Sequence, residues 1–141
     1  MRKEEQRLWD TMKRNAPPHV WLERVENLVG DGMPDVHFAS YRAIAWVELK
    51  AAKLPARPTT RVLGGDGLRQ SQKNWHKQAA WFGLPVYTLI RDDEKNLYLV
   101  HCSFSDELNE MPIAQLRSVS VAANWSDIFN VLKDTKFRIK K

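Results

Sequence analysis

Two carboxylates and a lysine stand at a spacing that could form a metal-dependent site. Asp35 ends the run Gly32-Met33-Pro34-Asp35, and Glu48-Leu49-Lys50 closes an apolar run further along. Two carboxylates held close together repel unless a proton or a cation lies between them, and Mg²⁺ or Mn²⁺ prefers such oxygen ligands. A lysine beside the ion could orient a water or neutralise developing charge. The pattern is short, and a salt bridge between solvated strand ends is the alternative interpretation.

A predicted β-hairpin must position these residues. The runs 36–38 and 43–49 are rich in β-branched and aromatic residues and flank a short polar link. With residues 41–42 at the tip, Asp35 lies opposite Glu48, and paired residues point to the same face with Cβ atoms about 5 Å apart. Strand alternation places the lysine two residues after Glu48 on that face too. The hairpin therefore predicts that the three charged groups converge.

Two predicted helices flank the hairpin and add two candidate residues. The helix Lys3–Asn15 is amphipathic and carries Glu5 at the edge of its apolar face, where the carboxylate either reaches the site or interacts with the helix dipole. Glu4 competes for the same role. The second helix, 68–82, places Gln72 on an apolar face, and a buried glutamine must find hydrogen-bond partners. That predicted inner face comprises Leu68, Gln72, Trp75, Ala79 and Phe82, and Trp81 is also assigned to the core.

Positive charge is concentrated after the hairpin. The chain of 141 residues has a formal net charge of +5, which favours a polyanionic partner. The segment 51–67 is rich in proline, glycine and basic residues, and its length predicts a flexible flap. A solvated lysine-rich surface is the alternative. The candidate DNA-binding residues are Lys53, Arg57 and Arg61 in this segment, and Arg69, Lys73 and Lys77 along one flank of the second helix.

The remaining sequence completes one domain-sized α/β chain. Strands are predicted at 19–29, 86–90 and 97–101, and a helix at 125–133. Cys102 is the only cysteine, so a disulfide within the chain is excluded and a small buried thiol is expected. No apolar run has the length of a membrane span, and the first residues are charged. We expect a soluble cytoplasmic protein with no membrane partner.

The ordered motifs resemble the PD-(D/E)XK nuclease superfamily, and more narrowly its VRR-NUC (virus-type replication-repair nuclease) branch. The resemblance rests on Gly32-Met33-Pro34-Asp35, Glu48-Leu49-Lys50, and Leu68 with Gln72 and Trp75 before Gly83. It implies a restriction-endonuclease-like αβββαβ core with a mixed sheet in residues 1–102. Residues 103–141 would form a C-terminal extension that packs on the core or dimerises it. The long basic interval before Leu68 departs from the family pattern.

The resemblance also implies an activity. The protein would be a Mg²⁺-dependent (or Mn²⁺-dependent) DNA endonuclease that selects a junction, flap, nick or single strand in phage or bacterial replication, repair or recombination. In a phage, the compartment would be the host cytoplasm. Metal ligands would be Asp35, Glu48, the Leu49 carbonyl and Glu5, with Lys50 activating the attacking water and Gln72 supporting the site. A homodimer is compatible with this activity.

Two alternatives come from other classes of protein. A nucleic-acid-binding module would use the basic residues without turnover. An assembly subunit of a larger machine would bury its C-terminal segment in a partner. A pure binding module has no evident use for Asp35, Glu48, Lys50 and Gln72 together, and the endonuclease is the main prediction; deleting the residues after Ser103 would separate the assembly subunit.

Overall fold

The computed structural model describes residues 2–25, 32–41 and 43–135. Five strands form one sheet in the order β1-β2-β3-β4-β5, in which only the β3–β4 pair is parallel. The strands are β1 (Trp21–Arg24), β2 (Val36–Ser40), β3 (Ala43–Ala52), β4 (Val86–Asp92) and β5 (Leu97–His101). The helices are α1 (Lys3–Asn15), α2 (Gln70–Trp81), α3 (Ile113–Val119) and α4 (Trp125–Lys133), with 3₁₀ turns at Gly64–Asp66, Cys102–Phe104 and Leu108–Glu110.

The β2–β3 hairpin has the predicted register. Val36 pairs with Val47 and Ser40 pairs with Ala43, which leaves positions 41–42 at the tip. Asp35, directly before β2, therefore extends the pairing towards Glu48. The predicted strand 19–29 is observed only as β1, and its positions 26–29 lie outside the described residues, as do 30, 31, 42 and 136–141.

Helices cover both faces of the sheet. Leu8, Trp9 and Met12 of α1 and Ile128, Phe129 and Leu132 of α4 pack in one core with Phe38, Val47, Leu49 and Leu89. We call this side of the sheet the α1/α4 face. The opposite side, the α2/α3 face, carries Ile90, Tyr98 and Val100 packed with Leu108, Met111 and Leu116. Because β3 lies in the middle of the sheet, its side chains alternate between these two packed faces.

The bounds and inner face of α1 are confirmed, whereas the inner face of α2 needs a correction. The buried residues of α2 are Gln72, His76 and Ala79. Phe82, predicted on the inner face, is 72% exposed, and Trp81, predicted in the core, is 86% exposed. The helix ends at Trp81, so Phe82 lies at its C-cap beyond the last packed turn. The helix is rotated so that His76, and not the aromatic residues at its C-terminus, meets the sheet.

The C-terminal segment contributes to both cores. Helix α4 supplies three fully buried side chains to the core of the α1/α4 face. Its Asn124 caps the helix by accepting from the Asp127 N–H at 2.8 Å. The Thr135 hydroxyl donates to the Ile44 carbonyl at 2.6 Å, which ties the end of the described chain to β3. Among the described residues, no helix is both long and apolar enough to cross a membrane.

The segment 51–67 is anchored at both ends. Ala51 and Ala52 continue β3, while Val62 and Leu63 are buried on the α2/α3 face. Arg61 forms an ion pair with Glu110 at 3.2 Å. Most of the exposed residues of the predicted flap lie between these anchors, at 53 and 56–61, and two more, Gly65 and Asp66, follow them.

Candidate active site

Gly32 fixes where the hairpin meets helix α2. Its φ is +87°, and a Cβ at this position would lie 2.1 Å from the Ser71 carbonyl oxygen. Only glycine combines this backbone conformation with so close an approach. The turn that leads to Asp35 therefore packs directly against the first turn of α2.

Asp35 is held by hydrogen bonds on both its backbone and its side chain. Its carbonyl oxygen accepts from the Val25 N–H at 2.7 Å, and its Oδ2 accepts from the Leu49 N–H at 2.9 Å. The second bond spans β2 and β3 and aims the carboxyl group at the position next to Glu48.

Glu48 is buried, and only one of its two carboxylate oxygens accepts a hydrogen bond from a described residue. The side chain is on the α2/α3 face, the residue is 2% exposed, and its Oε1 accepts from Gln72 Nε2 at 2.9 Å. Its Oε2 has no hydrogen-bond partner among the described residues. A buried carboxylate oxygen without a donor is costly, so this atom has the chemistry of a ligand position.

Gln72 connects the start of α2 to Glu48. Its side-chain oxygen accepts from the Arg69 N–H at 2.9 Å, which caps the helix, while its side-chain nitrogen donates to Glu48. The first bond fixes the orientation of the amide, and the amide in turn fixes the Glu48 carboxylate. The predicted supporting role of Gln72 has this geometric basis.

The electrostatics of Glu48 favour a neutral or cation-bound carboxylate. Burial raises the pKa of Glu48 well above its ordinary value, and the charges of Asp35 and Glu5 raise it further, while Lys50 lowers it. The raised pKa follows from removing the carboxylate from water beside other carboxylates. A cation at this point would remove the same penalty.

Lys50 lies on the same face and is 7% exposed. It forms no ion pair or hydrogen bond with the described residues. The alternative of a solvated salt bridge therefore does not describe this lysine. Its charge acts on two buried neighbours, since it lowers the pKa of both Glu48 and His76.

Glu5 reaches the same region from α1 but is engaged by an arginine. It is 8% exposed, and its Oε2 accepts from Arg2 Nε at 3.0 Å. Arg2 also binds Asp66 at 2.8 Å and the Ala51 carbonyl at 3.1 Å. Within the described part of the chain, no three His, Cys, Asp or Glu side chains converge as a complete metal site. Glu5 is thus near the two central carboxylates without joining them in one ligand set.

The residues present nevertheless fit a divalent metal ion. The unpartnered Oε2 of Glu48 and the adjacent Asp35 carboxyl are oxygen donors that a hard cation prefers. They open into a cleft of about 540 Å³ that is also lined by Arg2, Glu5, Lys50, Arg69 and Gln72. Two carboxylates, a backbone carbonyl and waters are an ordinary set for Mg²⁺, which keeps several waters.

The six predicted DNA-binding residues are dispersed around this cleft. Arg69 lines it, and Lys53 lines a neighbouring pocket. Arg57 is exposed, Arg61 is paired with Glu110, and Lys77 is paired with Asp106 at 3.0 Å. Lys73 is half-buried on the same flank of α2 as Lys77. The structure brings only Arg69 into direct contact with the cleft.

A solved structure has the same fold. The 1.6 Å structure of Archaeoglobus fulgidus Hjc, a Holliday junction resolvase from an archaeal hyperthermophile, matches with a TM-score of 0.58 at 15% sequence identity, covering 91% of this chain and 99% of that chain. The fold is restriction-endonuclease-like. No family model matches the sequence, and no curated protein matches it. The similarity confirms the predicted fold, whereas the VRR-NUC branch stays a prediction.

Sequence reasoning missed several residues that build this candidate site. His76 is fully buried on α2, and its Nδ1 lies 2.8 Å from Ser105 Oγ. Asn109 holds the segment before α2 by two bonds, accepting from the Leu68 N–H at 2.7 Å and donating to the Leu68 carbonyl at 2.8 Å. These contacts join positions far apart in sequence. A polar residue at a helical inner position was the only signal for His76, and the sequence held none for Asn109.

Proposed function

We propose that this protein is a divalent-metal-dependent endonuclease that hydrolyses phosphodiester bonds in DNA. The observation that carries the proposal is Glu48. Its buried carboxylate is fixed at one oxygen by Gln72, and the other oxygen, beside Asp35 and Lys50, has no partner in the described part of the chain. Such a site is costly in a protein that does not use it.

The residues of the site have separate roles in hydrolysis. Asp35, the Oε2 atom of Glu48 and the Leu49 carbonyl would hold Mg²⁺ or Mn²⁺, with Glu5 as a further carboxylate nearby. The bound ion would polarise a phosphoryl oxygen and lower the pKa of its water. Lys50 orients the attacking water and neutralises charge that develops on the phosphate oxygens. Gln72 keeps the Glu48 carboxylate in one orientation, so the site is organised before substrate binds.

Branched DNA is the first substrate class to consider. A protein with the same fold is a Holliday junction resolvase, and this supports a junction as substrate over a fixed duplex sequence. Flaps, nicks and single strands remain in the proposal, as do membership of the VRR-NUC branch and a place in phage or bacterial replication, repair or recombination. Two copies acting on one junction would cut symmetric strands, which is consistent with the predicted homodimer.

A non-catalytic DNA-binding module is the second candidate. The ion pair between Arg2 and Glu5 favours it, because this pair leaves only two carboxylates for a metal. Under this proposal the protein would bind branched DNA equally well with or without a divalent ion, and it would not cut.

A panel of labelled single-stranded, duplex, nicked, flap and four-way-junction DNA separates the two candidates. The panel is incubated with Mg²⁺, Mn²⁺ or a chelator and with wild type, Asp35→Asn or Lys50→Ala. We expect metal-dependent cutting that both substitutions abolish, and the best substrate identifies the structural preference. Binding of the panel by wild type without any cutting would refute the endonuclease and establish the binding module.

A further inference from the structure

Three arginines converge on one side of α1, outside the cleft that contains Asp35 and Glu48. Arg7, Thr11 and Arg14 are spaced i, i+4 and i+7, so they share one flank of the helix. Arg91, at the end of β4, reaches the same flank and donates to Thr11 Oγ1 at 3.0 Å. Arg14 donates to the same oxygen at 3.1 Å. We call Arg7, Arg14 and Arg91 the α1 arginine cluster.

The cluster has no anionic partner within the described chain. The Thr11 hydroxyl donates to the Arg7 carbonyl at 2.9 Å, so its hydrogen and both lone pairs are already in use. None of the three guanidinium groups has a carboxylate at ion-pair distance among the described residues. Two acids lie three residues from Arg7 along the helix. Asp10 pairs with Lys13 and accepts from Gln6, and Glu4 is exposed. Three positive charges are therefore held together with one neutral acceptor between them.

The positive charges repel each other. Burial lowers the pKa of Arg91, and the charges of Arg14 and Arg7 lower it further. Arginine stays protonated at neutral pH in proteins, so the repulsion is not removed by loss of a proton. An anion bound across the cluster would remove it.

The cluster is continuous with the catalytic cleft. Arg7 and Arg91 line a pocket of about 490 Å³, and Arg2 and Asp66 line both this pocket and the cleft. The acids of the pocket are Glu4, Asp66, Asp92 and Asp93, and three of them are engaged. Asp66 pairs with Arg2, Asp92 accepts from the Tyr98 hydroxyl and the Asn96 amide, and Asp93 accepts from the Leu54 N–H. Lys53 and Lys95 add two cations to the same pocket.

We propose that the α1 arginine cluster binds a phosphate group of the DNA strand that leaves the cleft along α1. This inference rests on the proposed function, which it extends by adding a second contact with the substrate. Arginine binds phosphate oxygens with two parallel N–H donors, and a strand is the ligand that would bridge both pockets. The cluster thus sets how much of one DNA arm the protein holds.

The helix gives the distance between the two sites. Glu5 marks the cleft and Thr11 marks the cluster, and six residues of helix span about 9 Å. With the duplex axis parallel to α1, this corresponds to between two and three nucleotide steps, because successive phosphates of one strand advance about 3.4 Å along that axis. The bound phosphate should therefore lie two or three nucleotides from the phosphodiester that is cut.

Binding is tested with a four-way junction in Ca²⁺, without cutting, by fluorescence anisotropy. Wild type is compared with the double substitution Arg7→Gln and Arg14→Gln, both at exposed positions, with Arg91→Lys, and with Lys13→Gln as the matched control on the same helix. We expect the double substitution to weaken binding roughly tenfold at physiological salt and to reduce the slope of log Kd against log salt by about 1, because one phosphate contact is lost. Arg91→Lys keeps the charge but loses the planar fork, and a smaller loss is expected.

Neutral methylphosphonates locate the contact. Replacing the phosphates two or three nucleotides from the cut site should weaken DNA binding by wild type. It should weaken binding by the double variant little further, because that variant has already lost the same contact. Arms that end at this position, with or without a 5′-phosphate, distinguish a chain-internal phosphate from a strand end, and either source supports a phosphate site. The inference would be overturned if the double variant had the same salt slope as Lys13→Gln. It would also be overturned if methylphosphonates weakened binding by the double variant as much as binding by wild type.

The outcome is separable from that of the proposed function. Cluster-dependent binding by a wild type that never cuts would leave this inference standing while the endonuclease fails. Cutting by wild type, with DNA binding unchanged in the double variant, would support the endonuclease and refute this inference.

Discussion

Glu48 carries the largest electrostatic penalty in the site, and its two oxygens have different surroundings. Gln72 donates to one oxygen, and the other has no partner among the described residues. Because the pKa of Glu48 in the folded state is above the ordinary 4.5, its protonated carboxyl contributes stability at pH values below 4.5. This contribution is lost as the pH rises through the folded-state pKa. At neutral pH, without metal, Glu48 therefore opposes folding.

Replacing Glu48 by glutamine should expose this conflict between stability and function. In chelator at pH 8, we expect Glu48→Gln to raise the melting temperature by a few degrees, since about 1 kcal/mol corresponds to roughly 4 °C at this size. Mg²⁺ or Mn²⁺ should raise the melting temperature of wild type only, because a ligand that binds the native state stabilises it. The exposed Glu107→Gln is the control. An equal metal-induced shift in Glu48→Gln and wild type would contradict this account.

His76 should make the stability of the fold depend on pH. Burial, and then the charge of Lys50, lower the pKa of His76 from 6.5 to about 4. Between these values the unfolded state binds more protons, so the free energy of unfolding falls as pH falls from 6.5 towards 4. The loss attributable to this residue is about 3 kcal/mol.

Denaturant unfolding from pH 4 to 8 tests this dependence. The difference between wild type and His76→Gln should change by that amount across the window, while the exposed His19→Gln should run parallel to wild type. If the difference stays flat, His76 is not held neutral by its surroundings.

At the scale of elements, the first turn of α2 and the turn before β2 form one rigid junction. Gly32 approaches the Ser71 carbonyl too closely for any side chain, and Gln72 follows directly on the helix. The junction therefore controls the separation between Asp35 and the residues that α2 contributes.

Gly32→Ala should damage both the fold and the site. A positive φ costs a non-glycine residue about 1–2 kcal/mol, and the clash with backbone adds to it, so we expect a loss of roughly 2–4 kcal/mol in unfolding free energy. Gly65→Ala is a matched control that lines the same cleft and has open space around its Cβ position. It should be close to neutral. Equal effects of the two substitutions in denaturant unfolding would show that the close approach is not what holds the junction.

The elements also show how far sequence reasoning reached. The hairpin register was predictable because alternation and a short tip allow few pairings, and this placed Asp35, Glu48 and Lys50 together. The rotation of α2 was not predictable from apolar residues alone, since His76 is buried and Trp81 and Phe82 are not. Helix α3 was missed because seven residues carry too little periodicity, and its existence depends on packing Leu116 against the sheet.

At the scale of the whole molecule, the residues after β5 are part of the structure that supports the site. Asn109 holds the segment that leads into α2, Ser105 contacts His76, and α4 completes the core behind β3. These contacts were beyond sequence reasoning, because they join distant positions through single polar side chains. The net positive charge, in contrast, was readable, although the arginines of α1 and β4 form a cluster that charge counting along the chain did not reveal.

The most direct test of the central claim is the single-turnover rate of junction cleavage at saturating protein, with Mg²⁺ or with chelator. Wild type is compared with Glu48→Gln, Lys50→Ala and the exposed control Lys13→Ala. We expect cleavage only with the metal, a loss of at least about a hundredfold for Glu48→Gln and Lys50→Ala, and a rate close to wild type for Lys13→Ala. Cleavage by Glu48→Gln at the wild-type rate would contradict the assignment of this site as the catalytic centre.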